Sequence, residues 1–159
     1  MPTTPTDLAE FALGVLKADE TLTALVVDGA AGIVETGDIA SRTLDQAQIT
    51  RRETGNPAKV LGITVMDAGE RAISDQFTVQ RVGIWIFDRE RGYANIRQAT
   101  KAVYGALEGK STALSSPITG RTAAVMLQFD VRTGHLIQRS LEVDLEYIEF
   151  KANIQKDLG

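Results

Sequence analysis

Two hydrophobic periods divide the chain into elements. Near the start, Leu8, Phe11, Ala12, Val15 and Leu16 recur three and four residues apart, which is one face of a helix. That helix is expected over about residues 5–17. Thr4 serves as its N-cap, Pro5 takes the first helical position, and Asp7 lies in the first turn, where negative charge is favoured. A second short helical turn is expected within 19–26. A short strand is expected at 33–36, beyond the breaks at Gly29 and Gly32. Residues 60–66 and 77–87 read as strands, and 82–87 is apolar on both faces, as in a central, covered strand. Ile96, Ala99, Val103 and Leu107 mark a central helix over about 91–108, with its periodic part at 93–108.

The C-terminal third alternates. From 121 to 131 the odd positions are apolar: Ala123, Val125, Leu127, Phe129 and Val131. From 136 to 150 they carry Ile137, Leu141, Val143, Leu145 and Tyr147, with Arg139 the exception. Antiparallel partners that share a face need residue numbers summing to an even number. A three-residue loop, Arg132-Thr133-Gly134, meets that condition. It pairs Val131 with His135, Phe129 with Ile137 and Val125 with Leu141, and it sets Gly134 at a left-handed position. A two-residue turn would pair Phe129 with Gln138, mixing the faces. The other face reads Gln138, Ser140, Glu142, Asp144, Glu146, a one-sided acidic stripe. A solvated sheet face explains it. Metal binding fits poorly, because alternate strand residues lie ~6.6 Å apart and no loop gathers their oxygens around an ion. A continuous strand over 136–150 would span roughly 50 Å, against a domain diameter of about 40 Å. Such a ribbon bends or projects, and a projecting edge offers unpaired backbone to another subunit.

The expectation is thus a single α+β domain over 1–159. Its mixed, mainly antiparallel sheet is flanked by an N-terminal and a central helix and ends in a long C-terminal hairpin. Residues 37–59 are polar and mixed in charge, with a weak helical pattern at 44–49, and read as a mobile loop that contacts a partner through Arg51 and Arg52. Residues 152–159 read as a short flexible tail. The 159 residues suffice for a real core, and 43% hydrophobic with 24% charged residues is ordinary for a globular protein. No apolar run approaches a membrane span, and "MPTTPTDLAE" reads as carrying no signal peptide. The absence of cysteine removes disulfides, thiolate catalysis and cysteine-bound zinc. A net charge of −4 disfavours tight wrapping of duplex DNA.

One stretch imitates a nucleotide-binding loop. "GALEGKST" ends in Gly-Lys-Ser, but only three residues separate Gly105 from Gly109, and Tyr104 holds the place the first glycine requires. A helix rather than a strand precedes Lys110, so Gly109 reads as a helix stop with Lys110 at the negative helix end. No catalytic residue, cofactor site or metal site emerges. His135 is the one histidine, Ser115 and Ser116 lack a local base, and Trp85 sits between Ile84 and Ile86 as a core residue.

The order of elements carries a resemblance. A leading helix "LAEFALGVLKADETLTALV" comes first. A central strand then runs into a helix, "VGIWIFDRERGYANIRQATKAVYGALEG", and the chain closes on "HLIQRSLEVDLEYIEFKA". From about Leu8 to Lys151 this resembles the tail terminator (tail completion) proteins of long-tailed bacteriophages and related tail-like particles. The 37–59 insertion does not map onto that family. The resemblance implies a structural virion protein, made in the host cytoplasm, that is not an enzyme. Copies of it would form a hexameric ring that caps the tail tube, stops its growth and meets the connector or stopper protein of the neck. DNA would transit the channel without sequence-specific binding, and no membrane is involved. Glu142, Asp144 and Glu146 would line that channel or face a neighbouring subunit's Arg or Lys. A head–tail connector or stopper ring, and a small ligand-binding or regulatory α+β domain, are the alternatives.

Overall fold

The computed structural model describes residues 5, 7–35, 59–74, 77–89, 93–115, 122–138 and 143–155. The element order is α1 (Leu8–Ala18), α2 (Glu20–Thr23), a 3-10 turn (Gly29–Gly32), β1 (Ile33–Glu35), β2 (Gly62–Ala72), β3 (Phe77–Arg89), α3 (Tyr93–Leu107), β4 (Ser111–Ser115), β5 (Thr122–Met126), β6 (Gln128–Gln138) and β7 (Val143–Gln155). Five strands form one sheet in the order β1-β2-β3-β7-β6, and β4 and β5 form a separate two-stranded ribbon. Among the described strands of this sheet β1 and β2 run parallel and the other neighbours are antiparallel. The expected α+β class with a mainly antiparallel sheet is what the chain adopts.

Helix α1 starts later than expected. The Asp7 carboxylate accepts the Glu10 N–H at 2.8 Å, which makes Asp7 the N-cap and Leu8 the first helical residue. Asp caps more strongly than Thr, and Thr4 lies outside the described residues. Asp19 repeats the device for α2, accepting the Leu22 N–H at 2.8 Å. Leu8, Ala9, Ala12 and Leu16 are buried, while Phe11 and Val15 pack at the margin. Helix α3 ends where the sequence indicates. Gly109 has φ 76° and the Lys110 N–H returns to the Leu107 carbonyl at 3.0 Å.

Strand β3 is the central strand expected. Its even positions Val82, Ile84 and Ile86 are fully buried in the core that α1 and α3 cover. Its odd face carries Phe87, which packs with Leu61, Val143 and Leu145 in a smaller cluster that Trp85 borders. The Trp85 ring lies 4.7 Å from that of Tyr147, and its indole N–H donates to the Met66 sulfur at 3.2 Å. Burial and a 2.5 Å hydrogen bond to Glu149 push the Tyr147 phenol well above the usual tyrosine range.

The C-terminal third departs from expectation. Residues 132–134 are not a turn. Strand β6 runs through them, and β5 pairs with β4 instead, Val125 opposite Thr112. Phe129 lies opposite Phe150, Val131 opposite Glu149, and His135 opposite Glu146, with bulges at 129–131 and 132–135. Gly134 does adopt the left-handed conformation, φ 78°, but within the second bulge. There the Thr133 hydroxyl accepts the Tyr147 N–H at 3.2 Å, supplying a partner where the ladder is interrupted. The long ribbon is also corrected. Strand β7 lies inside its own sheet, paired with β3 along its whole length and with β6 over Val143–Lys151, so it offers no free edge there to a neighbour. It continues to Gln155, so the segment expected as a tail from 152 is strand up to that point.

Gly83 sits directly under the Tyr147 ring, where an added Cβ would meet ring atoms at 2.4 Å. Gly83→Val is expected to destabilise the protein by about 1–3 kcal/mol through overpacking. Urea unfolding followed by circular dichroism should show a smaller loss when the same change is made in a Tyr147→Ala background.

Candidate interaction groove

Helix α3 buries Ile96, Ala99, Val103 and Leu107 against the sheet. Its other residues Tyr93, Arg97, Lys101 and Tyr104 follow at spacings of four, four and three, a second stripe along the helix. This stripe faces the outer strand β6, and the two elements enclose a groove of about 650 Å³. Tyr104 and Phe129 form an aromatic wall, ring centroids 5.6 Å apart and edge-on, with Phe150 behind Phe129 at 6.1 Å. Among the described residues, the cations Arg97, Lys101 and Arg132 line the opening. The Arg97 guanidinium lies 5.2 Å from the centre of the Tyr93 ring. The helix end is tied to β6 by the Phe129 N–H, which donates to the Glu108 carboxylate at 2.6 Å.

Below the groove is a buried charge. Glu146 is fully inaccessible. The Thr100 hydroxyl donates to one of its oxygens at 2.8 Å, and the Arg132 Nε donates to the other. Arg132 also reaches the Tyr93 hydroxyl at 3.4 Å. The hydrogen bond to Glu146 is the main influence holding the Arg132 guanidinium above its ordinary pKa. With its side chain 45% exposed, Arg132 joins the buried carboxylate to the groove mouth.

The acidic stripe therefore sits differently from expectation. Asp144 and Glu146 lie on the helix-covered face, 2% and 0% exposed, and present no carboxylate to solvent in the protomer. The even positions of β7 turn from acidic to apolar at Ile148, Phe150 and Ala152, which fill the main core. The arginine expected from a neighbour is Arg132 of the same chain. Asp144 lies opposite Asp88, itself buried, which accepts from the Asn95 amide at 3.0 Å and from the Arg89 N–H at 2.8 Å. Glu142, Arg51 and Arg52 lie outside the described residues. Sequence reasoning missed Thr100 and assigned Arg132 to a turn. The stripe on α3 was the available signal.

A second charged surface lies at the opposite edge of the sheet. Asp7 and Glu10 of the α1 start, Glu35 at the end of β1 and Asp67 in β2 gather there. Burial, then repulsion from Asp7, Glu10 and Asp67, raises the Glu35 carboxyl above its ordinary pKa. On the outer sheet face the charges pair among themselves: Arg81 with Asp130 and Glu149, both at 3.3 Å, and Lys151 with Asp130 at 3.7 Å. Among the described residues no group of three or more His, Cys, Asp or Glu could hold a metal ion, and no helix is long and apolar enough to cross a membrane.

By architecture, then, this is an α+β protein in which α1 and α3 cover one face of a five-stranded, mainly antiparallel sheet. That fold is similar to a chain from the virion of a native gene transfer agent particle, over 94% of this chain and 95% of that one, with a TM-score of 0.58. The two are 16% identical, so the likeness is one of fold. No protein-family model matches the sequence, and no curated protein sequence matches it significantly.

Two outcomes are expected of substitutions here. Arg132→Ala should cost about 2–3 kcal/mol, below the ~3–5 of a fully buried pair because Arg132 is half exposed. Adding Glu146→Gln should recover part of that loss, and a double-mutant cycle by chemical denaturation measures the coupling. Glu35 has its pKa raised on folding, so its contribution is fully present below the ordinary value of 4.5 and is lost as pH rises through the folded value. Glu35→Gln should therefore raise Tm modestly at pH 7, and the gain should fade as pH falls through the raised folded value and be gone below 4.5.

Proposed function

We propose that this chain is a structural protein of a virion or virion-like particle, and within it the tail terminator. The observation that carries the reading is the fold likeness to a virion chain across nearly the full length of both proteins. The resemblance of the element order to tail terminators supports the finer assignment. In this role copies of the chain close into a ring, a hexamer by that resemblance, through heterologous contacts in which each subunit offers one edge and accepts another. One rim matches the stacking surface of the tail tube protein. The other differs, so growth ends there and the neck connector or stopper protein joins it. The role is one of contact, without catalysis or cofactor. Of the acidic stripe, Glu142 is the residue proposed for the channel wall, where like charge keeps transiting DNA from sticking. Arg51 and Arg52 are proposed to meet a partner protein.

Particles assembled without this chain should carry tubes of irregular, excessive length, and purified protein added during assembly should restore uniform tails, as counted by negative-stain microscopy. Tails of normal length in its absence overturn the assignment, and normal tails left unattached to heads favour a connector or stopper ring.

A further inference from the structure

The two edges of the sheet carry opposite charge on the same face. Glu35 pairs with Val65, whose side chain lies in the helix-covered core, and Arg132 pairs with Ile148 of that same core. Among the described strands, β1 and β6 are the outermost of the sheet, separated by four steps of ~4.8 Å, or ~19 Å. At the β1 edge stand Asp7, Glu10, Glu35 and Asp67, the last three exposed. At the β6 edge stand Arg97, Lys101 and Arg132 around the aromatic wall of the groove, all three exposed.

We propose that the groove between α3 and β6 receives the β1 edge of a second copy of this chain, in a head-to-tail contact. The proposal rests on the ring reading above and gives it a surface. Charge selects the geometry. A two-fold dimer through the groove would set Arg97 and Lys101 against their own copies, and one through the β1 edge would set carboxylates against carboxylates. Like charges across an interface cost several kcal/mol and suppress those pairings. Groove against acidic edge is the arrangement in which both surfaces meet opposite charge, and because the two lie on opposite edges the contact propagates from copy to copy. Repulsion from Asp7, Glu10 and Asp67, which adds to burial in raising the Glu35 carboxyl, is offset when cations approach it. A phosphate backbone would also suit three cations and aromatic rings, but a chain of net charge −4 is a poor collector of nucleic acid. The complementary carboxylates are already carried by the same molecule.

The chain has no cysteine, so introduced thiols report on contact without background. The full-length variants Glu35→Cys and Lys101→Cys, mixed and oxidised, should give mainly the crossed dimer. The double variant should give a ladder of covalent multimers, since its two thiols lie on opposite edges. Reversing the groove (Arg97→Glu with Lys101→Glu) or the edge (Glu35→Lys with Asp67→Lys) should each weaken self-association by at least roughly tenfold in light scattering. An equal mixture of the two reversed proteins should associate again, each one's edge entering the other's groove. Oligomers that survive both reversals, with no crossed link, overturn this contact and leave the ring reading standing. A chain that stays monomeric at every concentration and gives no ladder overturns this contact, and the tail-length assay then decides the ring reading separately. A single-stranded oligonucleotide that binds the unaltered protein but not the groove-reversed one, with no crossed link, overturns the proposal in favour of nucleic acid.

Discussion

A single buried carboxylate governs how the outer half of this molecule is built. Glu146 lies on the covered face of the sheet, where an unpaired ion would cost several kcal/mol. Its two oxygens are met from two elements, Thr100 on α3 and Arg132 on β6. The helix must therefore dock at one position along its axis, and the outer strand must present its arginine over Ile148. The bulge at 132–135 provides for this. Gly134 supplies the left-handed backbone, and the Thr133 hydroxyl satisfies the Tyr147 N–H that the bulge would otherwise strand. The rest of Arg132 then extends outward to Tyr93, so one pair anchors the core and begins the groove.

The groove inherits its character from that arrangement. Its aromatic wall is continuous with the core through Phe129 and Phe150, while Arg97 and Lys101 stand at its rim. An apolar wall beneath a cationic rim suits recognition of another protein surface: the rings contribute buried area, and the charges set orientation and approach. The sheet delivers the counterpart at its far edge, where Glu35 of β1 and Asp67 of β2 stand beside the start of α1. Contact between subunits there would bring opposite charges together.

Much of the fold was legible in the sequence where one physical rule dominates. The apolar run 82–87 can only be a strand covered on both faces, and the three-and-four spacing from Ile96 to Leu107 can only be a helix face. Gly109 stops that helix because its position is left-handed. The C-terminal third was less legible because two rules competed. Alternation tells which residues share a face, not which face the helices cover. In β7 the odd positions looked like the buried set, yet Ile148, Phe150 and Ala152 fill the main core, and the acidic residues before them share that side. Parity arguments for pairing fail across a bulge, since each extra residue exchanges the faces, and β6 contains two. Gly134 was read correctly as left-handed and placed in the wrong feature. The groove was half visible: the spacing of Tyr93, Arg97, Lys101 and Tyr104 announces a second helical stripe, but nothing local to Arg132 reveals that it crosses to Glu146.

The contact of Trp85 with Tyr147 and the Met66 sulfur has a practical meaning. It is the chain's only tryptophan, and it stands on the sheet face opposite α1 and α3, half-buried at the margin of the Phe87 cluster. Its emission is a native optical gauge of that face, on the other side of the sheet from the groove beside α3. The molecule thus carries its own label for telling a partner that stacks on the sheet from one that enters beside the helix.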